Sequence, residues 1–517
     1  MPPGDRQLGL AVVLRKGPRS VETGNQDGDS PHRRDCRFAR PGRACAPDPA
    51  ALRSAAGRDS GRPPCPGARL PASRRLAGQL DLGRNTVIAV FERLAADGFV
   101  EARGAAGTVV ARIDSALLLR HRAQKPATGA LSARGAALAA IDRGTGDKSG
   151  PFVPGLPALD LFPGDLWARL VARRLRQSSA ALLGFGHAQG WPPLREAIAR
   201  HLADSRGIVA DPATVVITTG AQGALDFVAR LLCDVGDPVW IEDPGYLGAR
   251  GAFTAAGLRL VPVPVDEEGL RVDDATAREA RPRLVYVTPS HQYPTGVAMS
   301  LPRRLALLAA AEAAGAWVIE DDYDSEFRFD GPPLAPLHNL DSGGRVIYIG
   351  TLGKALAPAL RVGFALLPQP LAAQAAIALR HTGQAPPPLI QATLADFIAD
   401  GHFAAHLRKL KPIYAERRAA LIEACGRSLG GLGSIMRAEA GIQVALRLHR
   451  LDDRAAAAAA AGAGIVAPAL SRAAIGPSAP SGLQLGFAAV DVAAIEAGVA
   501  RLAGVLRDLD ARATRPG

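Results

Sequence analysis

Seven short, almost wholly apolar runs recur through residues 215–367, and amphipathic stretches separate them. The runs are Val215–Thr219, Pro238–Ile241, Leu260–Val265, Leu284–Thr288, Trp317–Ile319, Val346–Gly350 and Val362–Leu367. Such runs, alternating with amphipathic helices, are typical of a mainly parallel sheet that is buried on both faces. The sequence therefore predicts an α/β fold with a large domain, followed by a small α/β domain after roughly Ile390.

A different pattern precedes this region. Residues Ser73–Leu80 carry apolar side chains at helical spacing, and a second helical pattern runs from Arg84 to Gly98. Two alternating stretches, Phe99–Arg103 and Thr108–Ala111, then flank the glycine-containing segment Gly104–Gly107. Two helices joined by a tight turn and followed by a hairpin predict a winged helix-turn-helix.

Charge is concentrated in the same amino-terminal region. The 517-residue chain has a formal net charge of +12, and residues 1–112 contribute 19 Lys/Arg against 11 Asp/Glu. A concentrated basic end is the electrostatic footprint of a protein that binds a polyanion, although a solvated tail has the same composition. The winged helix makes double-stranded DNA the predicted partner.

Composition argues for a cytoplasmic protein without a metal site. The longest near-continuous apolar run, Ala455–Leu470, is interrupted by two glycines and a proline, and the amino terminus lacks the pattern of a signal peptide. The five cysteines are scattered without metal-ligand spacing. We therefore predict a soluble, cytoplasmic protein with free thiols, no metal and no membrane partner.

Several polar residues stand where predicted strands end. Lys354 and Thr351 follow one apolar run, Asp321 and Tyr323 follow another, and Arg361 comes seven residues after the lysine. A desolvated lysine is a nucleophile toward an aldehyde, and a carboxylate can hold a protonated pyridine nitrogen. The segment Thr219–Gly223 joins a strand to a helix, where backbone N–H groups bind phosphate. Together these residues predict a pyridoxal phosphate site.

The chain from about Pro66 onward resembles the MocR subfamily of GntR-type transcriptional regulators, in which a winged helix is fused to a fold-type I aminotransferase-like module. The phrases that carry the resemblance are ARLPASRRLAGQLDLGRNTVIAVFERLAADGFVEARGAAGTVVA, PALDLFPGDLW, GWPPLREAIARHL, ITTGAQGALD, IEDPGYLGAR, TPSHQYPTG, VIEDDYDSEFRF and IYIGTLGKALAPALRVGF. The resemblance implies a homodimeric regulator that binds DNA, holds pyridoxal 5'-phosphate and responds to a small amino compound.

The resemblance also implies roles for single residues. Lys354 would attach the cofactor covalently and act as the catalytic residue, Asp321 would hold the ring nitrogen, and Tyr323 the ring hydroxyl. The phosphate would be held by Arg361, Thr351, Gly220, Ala221 and Gln222, while Tyr246 would stack on the ring and His291 lie over it. DNA contacts are implied for Arg74, Arg84, Asn85, Thr86 and Arg103, with the Gly104–Gly107 wing at the groove edge.

Two positions depart from the family pattern. Phe185 replaces a tyrosine whose hydroxyl reaches the cofactor phosphate across the dimer, and phenylalanine cannot make that bond. Gln484 falls near the arginine that clamps the substrate carboxylate in aminotransferases, so affinity and orientation would both be lost. These departures favour a regulator over an enzyme.

The predicted organisation has four segments: a disordered or atypical stretch over 1–65, the winged helix over 66–112, a linker over 113–150 and the pyridoxal phosphate module over 151–512. Two alternatives stay open beside the regulator. The first is an active aminotransferase with a vestigial DNA-binding domain. The second is an architectural DNA-binding protein with an inactive module. The intact residues around Lys354 weigh against the last.

Overall fold

A computed structural model describes residues 66–112, 129–141, 150–177, 180–383, 385–477 and 480–513. The segment 1–65, which we predict to be disordered or atypical, and most of the predicted linker lie outside these ranges. The chain divides into two compact units, Met1–Ala130 and Leu131–Gly517. None of the described helices is long and apolar enough to cross a membrane.

The first unit contains two helices and a hairpin. Helices α1 (Ser73–Leu80) and α2 (Arg84–Ala96) bury Leu76 and Val87 against each other. Strands β1 (Val100–Ala102) and β2 (Thr108–Val110) pair antiparallel and are joined by a single 3-10 turn, Gly104–Ala106. The arrangement is the predicted winged helix-turn-helix.

A short helix lies within the predicted linker of the second unit. Helix α3 (Ala133–Ala139) begins after Ser132, whose side chain accepts a hydrogen bond from the Gly135 N–H at 3.1 Å. Its Leu138 side chain lies beside Gly251 of helix α8 (Leu247–Ala256). The segment 113–150 is therefore not linker throughout, because a capped, alanine-rich stretch forms a helix that contacts the module.

An eight-stranded sheet organises the second unit. Its strand order is β3-β10-β9-β8-β7-β4-β5-β6, and β5, β4, β7, β8 and β9 form four parallel pairs. The strands are β3 (Val215–Thr218), β4 (Pro238–Asp243), β5 (Arg259–Asp266), β6 (Gly269–Leu270), β7 (Leu284–Val287), β8 (Trp317–Asp322), β9 (Val346–Thr351) and β10 (Gly363–Leu366). The sheet is mainly parallel, as predicted.

Strand β10 runs against both of its neighbours, β9 and β3. Only residues 352–362 connect β9 to β10. A parallel return needs a crossover of a dozen or more residues, usually helical, so this short connection forces the antiparallel direction.

Helices cover both faces of the sheet and bury apolar side chains against it. The helices of the unit that precede the small sheet are α4 (Gly164–Arg176), α5 (Ala180–Leu183), α6 (Pro192–Arg206), α7 (Gly220–Leu232), α8, α9 (Val272–Arg278), α10 (Leu301–Ala314), α11 (Leu337–Leu340), α12 (Gln369–Thr382) and α13 (Pro388–Ala399). The core residues of β3, β7 and β10 are entirely buried, which explains their unbroken apolar sequence.

The carboxyl-terminal part has its own small antiparallel sheet. Strands β11 (Gly433–Ile435), β12 (Gln443–Leu448) and β13 (Gly482–Gly486) pair in that order. Three helices accompany it: α14 (His402–Ser428), α15 (Asp453–Gly462) and α16 (Val492–Ala513). This matches the mixed α/β pattern predicted after roughly Ile390.

Candidate functional site

Nine of the ten predicted cofactor-binding residues line one cavity of about 290 Å³ in the second unit. They are Lys354, Asp321, Tyr323, Arg361, Thr351, Gly220, Ala221, Gln222 and Tyr246. Eight of them lie at or after the carboxyl ends of β3, β4, β8 and β9, which point to the same edge of the sheet, and Arg361 precedes the antiparallel β10 at that edge. Ligands of open α/β sheets bind at this edge. We call this space the cofactor cavity.

Lys354 follows β9 and extends into the cofactor cavity. Its Nζ donates a hydrogen bond to the Gly155 carbonyl oxygen at 2.7 Å. Desolvation lowers the pKa of the Lys354 ammonium, and the carboxylates of Asp324 and Asp321 oppose that shift. Because the uncharged amine is the nucleophile, the lowered pKa suits attack on an aldehyde.

Gly155 fixes the approach to that amine. Its backbone has a φ of +70°, and a Cβ built there would lie 2.5 Å from the Lys354 Nζ. Any side chain at this position would therefore occupy the space of the nucleophile.

Asp321 is 3% exposed and ends β8. The Tyr286 hydroxyl donates to its Oδ2 at 2.9 Å, whereas Oδ1 has no hydrogen-bond partner among the described residues. Burial raises the pKa of Asp321 to about 7, and the Tyr286 hydrogen bond opposes the rise. A buried carboxylate with an unpartnered oxygen is complementary to a positively charged N–H, such as that of a protonated pyridine ring.

Tyr323 and His291 form a pair at the side of the cavity. The Tyr323 hydroxyl donates to the His291 carbonyl oxygen at 2.9 Å, and Tyr323 itself lines the cavity. The His291 ring does not line it: Nδ1 lies 3.0 Å from the Asp324 carboxylate, and the ring packs closely against Gly441. The structure thus places His291 behind Tyr323, in contrast to the predicted position over the cofactor ring.

The amino terminus of α7 faces the opposite end of the cavity. Gly220 begins the helix with a φ of +75°, and no acidic residue lies in the first turn. The Gln222 amide donates to the Gly248 carbonyl oxygen at 2.9 Å. Backbone N–H groups at a helix amino terminus, with the Arg361 guanidinium and the Thr351 hydroxyl on the same wall, suit a phosphate dianion.

Gly363 supports this phosphate end, a role that the sequence analysis missed. A Cβ built on Gly363 would lie 2.6 Å from the Gly220 carbonyl carbon and 2.8 Å from the Ala221 nitrogen. Strand β10 therefore touches the first turn of α7 backbone to backbone. A glycine in an apolar strand signals such a close approach but does not identify its partner.

Neutral amide groups form the wall contributed by the small sheet. Gln484 Oε1 accepts from the Tyr293 hydroxyl at 3.0 Å, and its Nε2 has no partner among the described residues; the same holds for Gln443 Oε1. Tyr293 also meets the predicted stacking residue Tyr246 edge to face, with ring centres 5.4 Å apart. The resemblance had already singled out Gln484, whereas the only sequence signal for Gln443 is a polar residue in the apolar β12.

The predicted DNA-contacting residues lie in the first unit. Arg84 and Asn85 are exposed at the start of α2, with Thr86 partly buried beside them, and Arg74 is exposed on α1. Arg103 lies at the hairpin and pairs with Glu101 at 2.9 Å. Such an exposed pair is weak and leaves the arginine able to exchange partners.

Comparisons with known proteins match both units. Residues 164–502 match the family described as "Aminotransferase class I and II", and residues 65–110 match "Bacterial regulatory proteins, gntR family". The probable rhizopine catabolism regulatory protein MocR of Rhizobium meliloti is 40% identical over 454 residues, which are 87% of this chain and 91% of that protein. The transcriptional regulator TauR of Rhodobacter capsulatus is 35% identical over 71% of this chain and 78% of its own.

A solved structure is similar to the second unit. The α-aminoadipate aminotransferase LysN of Thermus thermophilus, complexed with N-(5'-phosphopyridoxyl)-L-leucine, superposes with a TM-score of 0.65 and 30% identity. The match covers 74% of this chain and 96% of LysN.

Proposed function

Because this chain belongs to the MocR-type GntR regulators that carry an aminotransferase class I and II domain, we propose that pyridoxal phosphate in the cofactor cavity controls how tightly the winged helix binds an operator. The predicted family, the predicted fold class and a DNA-binding helix-turn-helix joined to a pyridoxal-phosphate-type domain are confirmed by the comparisons. The control of one unit by the other is the proposal.

The cofactor assignment rests on a half-buried lysine and a buried carboxylate that line the same cavity. Lys354 has a lowered pKa, and Asp321 has an unpartnered oxygen. When bound, pyridoxal phosphate supplies an aldehyde for the lysine and a ring nitrogen for the carboxylate. Lys354, Asp321, Tyr323, the α7 amino terminus and Arg361 are the residues that we assign to it.

Regulation by a small amino compound and homodimer formation belong to the same proposal. Two apolar side chains are exposed on the isolated chain: Phe185, which replaces the family's tyrosine that reaches across a dimer, and the nearby Leu183. A second copy would bury these apolar side chains. Since the proposed target is chromosomal DNA, we place the protein in the cytoplasm.

An active aminotransferase is the second candidate, and the residues around Lys354 favour it. The neutral Gln484 in the cavity wall disfavours it, because nothing at that position would hold a substrate carboxylate by charge. Steady-state transamination with a panel of amino donors separates the two. Efficient turnover would favour the enzyme, and absent or very slow turnover the regulator.

Cofactor attachment is tested directly by Lys354→Ala. The wild-type protein should absorb visible light as a covalent lysine–cofactor adduct, and the variant should lose that band while its far-ultraviolet circular dichroism is unchanged. Lys409→Ala, which removes an exposed lysine from α14, is the matched control and should keep the band. An unchanged band in Lys354→Ala refutes the assignment.

A further inference from the structure

A second cavity, of about 530 Å³, lies beside the cofactor cavity. Three arginines line it: Arg250 of α8, Arg454 of α15 and Arg472. Ala140 and Ile141, which follow helix α3, form part of its wall. We call it the arginine cavity. Neither Asp nor Glu occurs among the described residues that line it.

Two of the arginines contact the short segment of chain to which the third belongs. Arg454 Nε donates to the Ser471 hydroxyl at 3.3 Å, and Arg250 Nη1 donates to the Ala474 carbonyl oxygen at 3.4 Å. Arg472 lies between these two anchor points in the sequence. The guanidinium groups of Arg454 and Arg250 therefore each contact a neutral oxygen, which does not neutralise their charge.

Two carboxylates lie near this segment, and the hydrogen bonds of both go to the segment itself and to Gly482, with none to the arginines. The Asp453 carboxylate accepts from the Ser471 hydroxyl, from the Ser471 N–H and from the Gly482 N–H. The Asp243 carboxylate accepts from the N–H groups of Ile475 and Gly476. Among the described residues, the cavity wall thus presents guanidinium groups and no carboxylate.

The remaining wall is apolar, with Leu247, Ala457, Ala458, Ala461, Ile465, Val466, Ala467, Pro468, Ala469 and Ala474. Guanidinium groups bind carboxylates through paired, charge-assisted hydrogen bonds, and an apolar wall favours an apolar body. We propose that the arginine cavity binds a small organic carboxylate with an apolar body, and that the bound anion holds helix α3 against the module.

Helix α3 is an element whose docking a bound anion can control. It has seven residues, most of them exposed, and helices this short depend on tertiary contacts for their stability. Its carboxyl end contributes Ala140 and Ile141 to the cavity wall. A ligand that contacts these residues binds the protein more tightly when α3 is docked than when it is undocked. This difference in affinity is what shifts the equilibrium between the two states toward the docked one.

The carboxylate can belong to a separate molecule or to the far end of an amino compound. The two cavities share Leu247, Pro468, Ala469 and Arg472, so a chain that reaches Lys354 can extend between them. The chemistry recognised in the arginine cavity is the same in both cases. The site does not depend on the cofactor, and its test is separable from that of the proposed function.

Calorimetric titration of the full-length, cofactor-loaded protein with hexanoate tests the site. Hexan-1-ol and hexylamine share its apolar chain but lack the anion and should not bind. Arg454→Gln should weaken hexanoate binding about tenfold or more, since one charge-assisted contact is lost. Arg408→Gln, on the exposed face of α14, is the matched control and should bind as the wild type does. No binding of hexanoate, or equal binding by Arg454→Gln, overturns the proposal.

Two further measurements distinguish a separate carboxylate from an amino compound that reaches Lys354, and show whether the bound anion holds helix α3. Hexanoate should bind the Lys354→Ala protein as tightly as it binds the wild type. If the ligand spans both cavities, 6-aminohexanoate should bind more tightly than hexanoate only where Lys354 and the cofactor are present. Hexanoate should also slow amide hydrogen exchange over residues 133–139 in the wild type but not in Arg454→Gln. Loss of hexanoate binding in Lys354→Ala, or unchanged exchange in α3, contradicts the proposal.

Discussion

At the scale of one residue, Asp321 lowers the stability of the folded, cofactor-free protein because it is placed to bind the cofactor. Its carboxyl group is buried, and one of its oxygens has no partner in the part of the chain that the structure describes, so the charged form is disfavoured until a cation arrives. Glu242 and Glu320, also buried in the second unit, likewise have pKa values raised to about 7. Asp321 differs from them because it lines the cofactor cavity, where a protonated ring nitrogen can supply the missing partner.

The pH dependence of the cofactor-free protein follows from this. The pKa of Asp321 is about 7 in the folded chain, well above the ordinary value of 3.8, so the folded state retains a proton that the unfolded state releases. The stability contributed by this group is therefore fully present below about pH 4 and is lost as the pH rises through about 7. Asp321→Asn should melt a few degrees higher than the wild type at pH 8, with little difference at pH 4.

Differential scanning fluorimetry of the cofactor-free proteins across that range measures the effect. Asp204→Asn, which changes an exposed carboxylate on α6, is the control and should follow the wild type. A stability difference between Asp321→Asn and the wild type that does not change with pH would contradict the assignment of a raised pKa.

At the scale of elements, the cavity depends on the contact between β10 and α7. The Cβ of an alanine at 363 would lie closer to the Gly220 and Ala221 backbone than real Cβ atoms come. We expect Gly363→Ala to displace the phosphate-binding turn and to weaken pyridoxal phosphate binding about tenfold, in line with the usual cost of overpacking. Fluorescence titration with the cofactor provides the measurement. The control variant Gly504→Ala, in α16 with open space around the glycine, should bind the cofactor as the wild type does. Wild-type cofactor affinity in Gly363→Ala would contradict the prediction, because the turn would then tolerate displacement.

The recognition helix is the second element that supports a prediction. Arg84 at the start of α2 and Arg74 on α1 are exposed, and we expect Arg84→Ala and Arg74→Ala each to weaken binding to a mapped promoter. A variant that loses a phosphate contact should also reduce the salt slope of log K by about one. Gel-shift titrations at several salt concentrations measure both, with Arg408→Ala as a control of equal charge change. Wild-type affinity in both variants would show that α1 and α2 do not contact the DNA as predicted.

The elements also show what the sequence could and could not predict. The fully buried strands could be predicted, because burial on both faces imposes an apolar run of residues. The grouping of strand-end residues such as Lys354 and Asp321 could also be predicted, because parallel strands bring their carboxyl ends together. Helix α3 was missed because an alanine- and glycine-containing stretch has the same composition as a linker. The position of His291 and the roles of Gln443 and Arg472 depend on contacts between segments distant in sequence, which periodicity does not reveal.

At the scale of the whole molecule, two units of different chemistry share one chain. A ligand in the second unit can alter DNA binding only through a difference in its affinity for two arrangements of the molecule, typically about 1–3 kcal/mol of coupling. Helix α3 follows the winged helix in the chain and contacts α8 of the module, so it is the described element best placed to report the ligand state.

Measuring operator affinity with and without pyridoxal phosphate shows whether the cofactor controls DNA binding. Fluorescence anisotropy with a labelled promoter fragment should show a 5- to 150-fold difference, roughly the range that this coupling implies, between the cofactor-free and cofactor-loaded wild type. Lys354→Ala should lose most of that response while still binding the fragment. Identical operator affinity in the two states of the wild type would contradict the account and favour the aminotransferase.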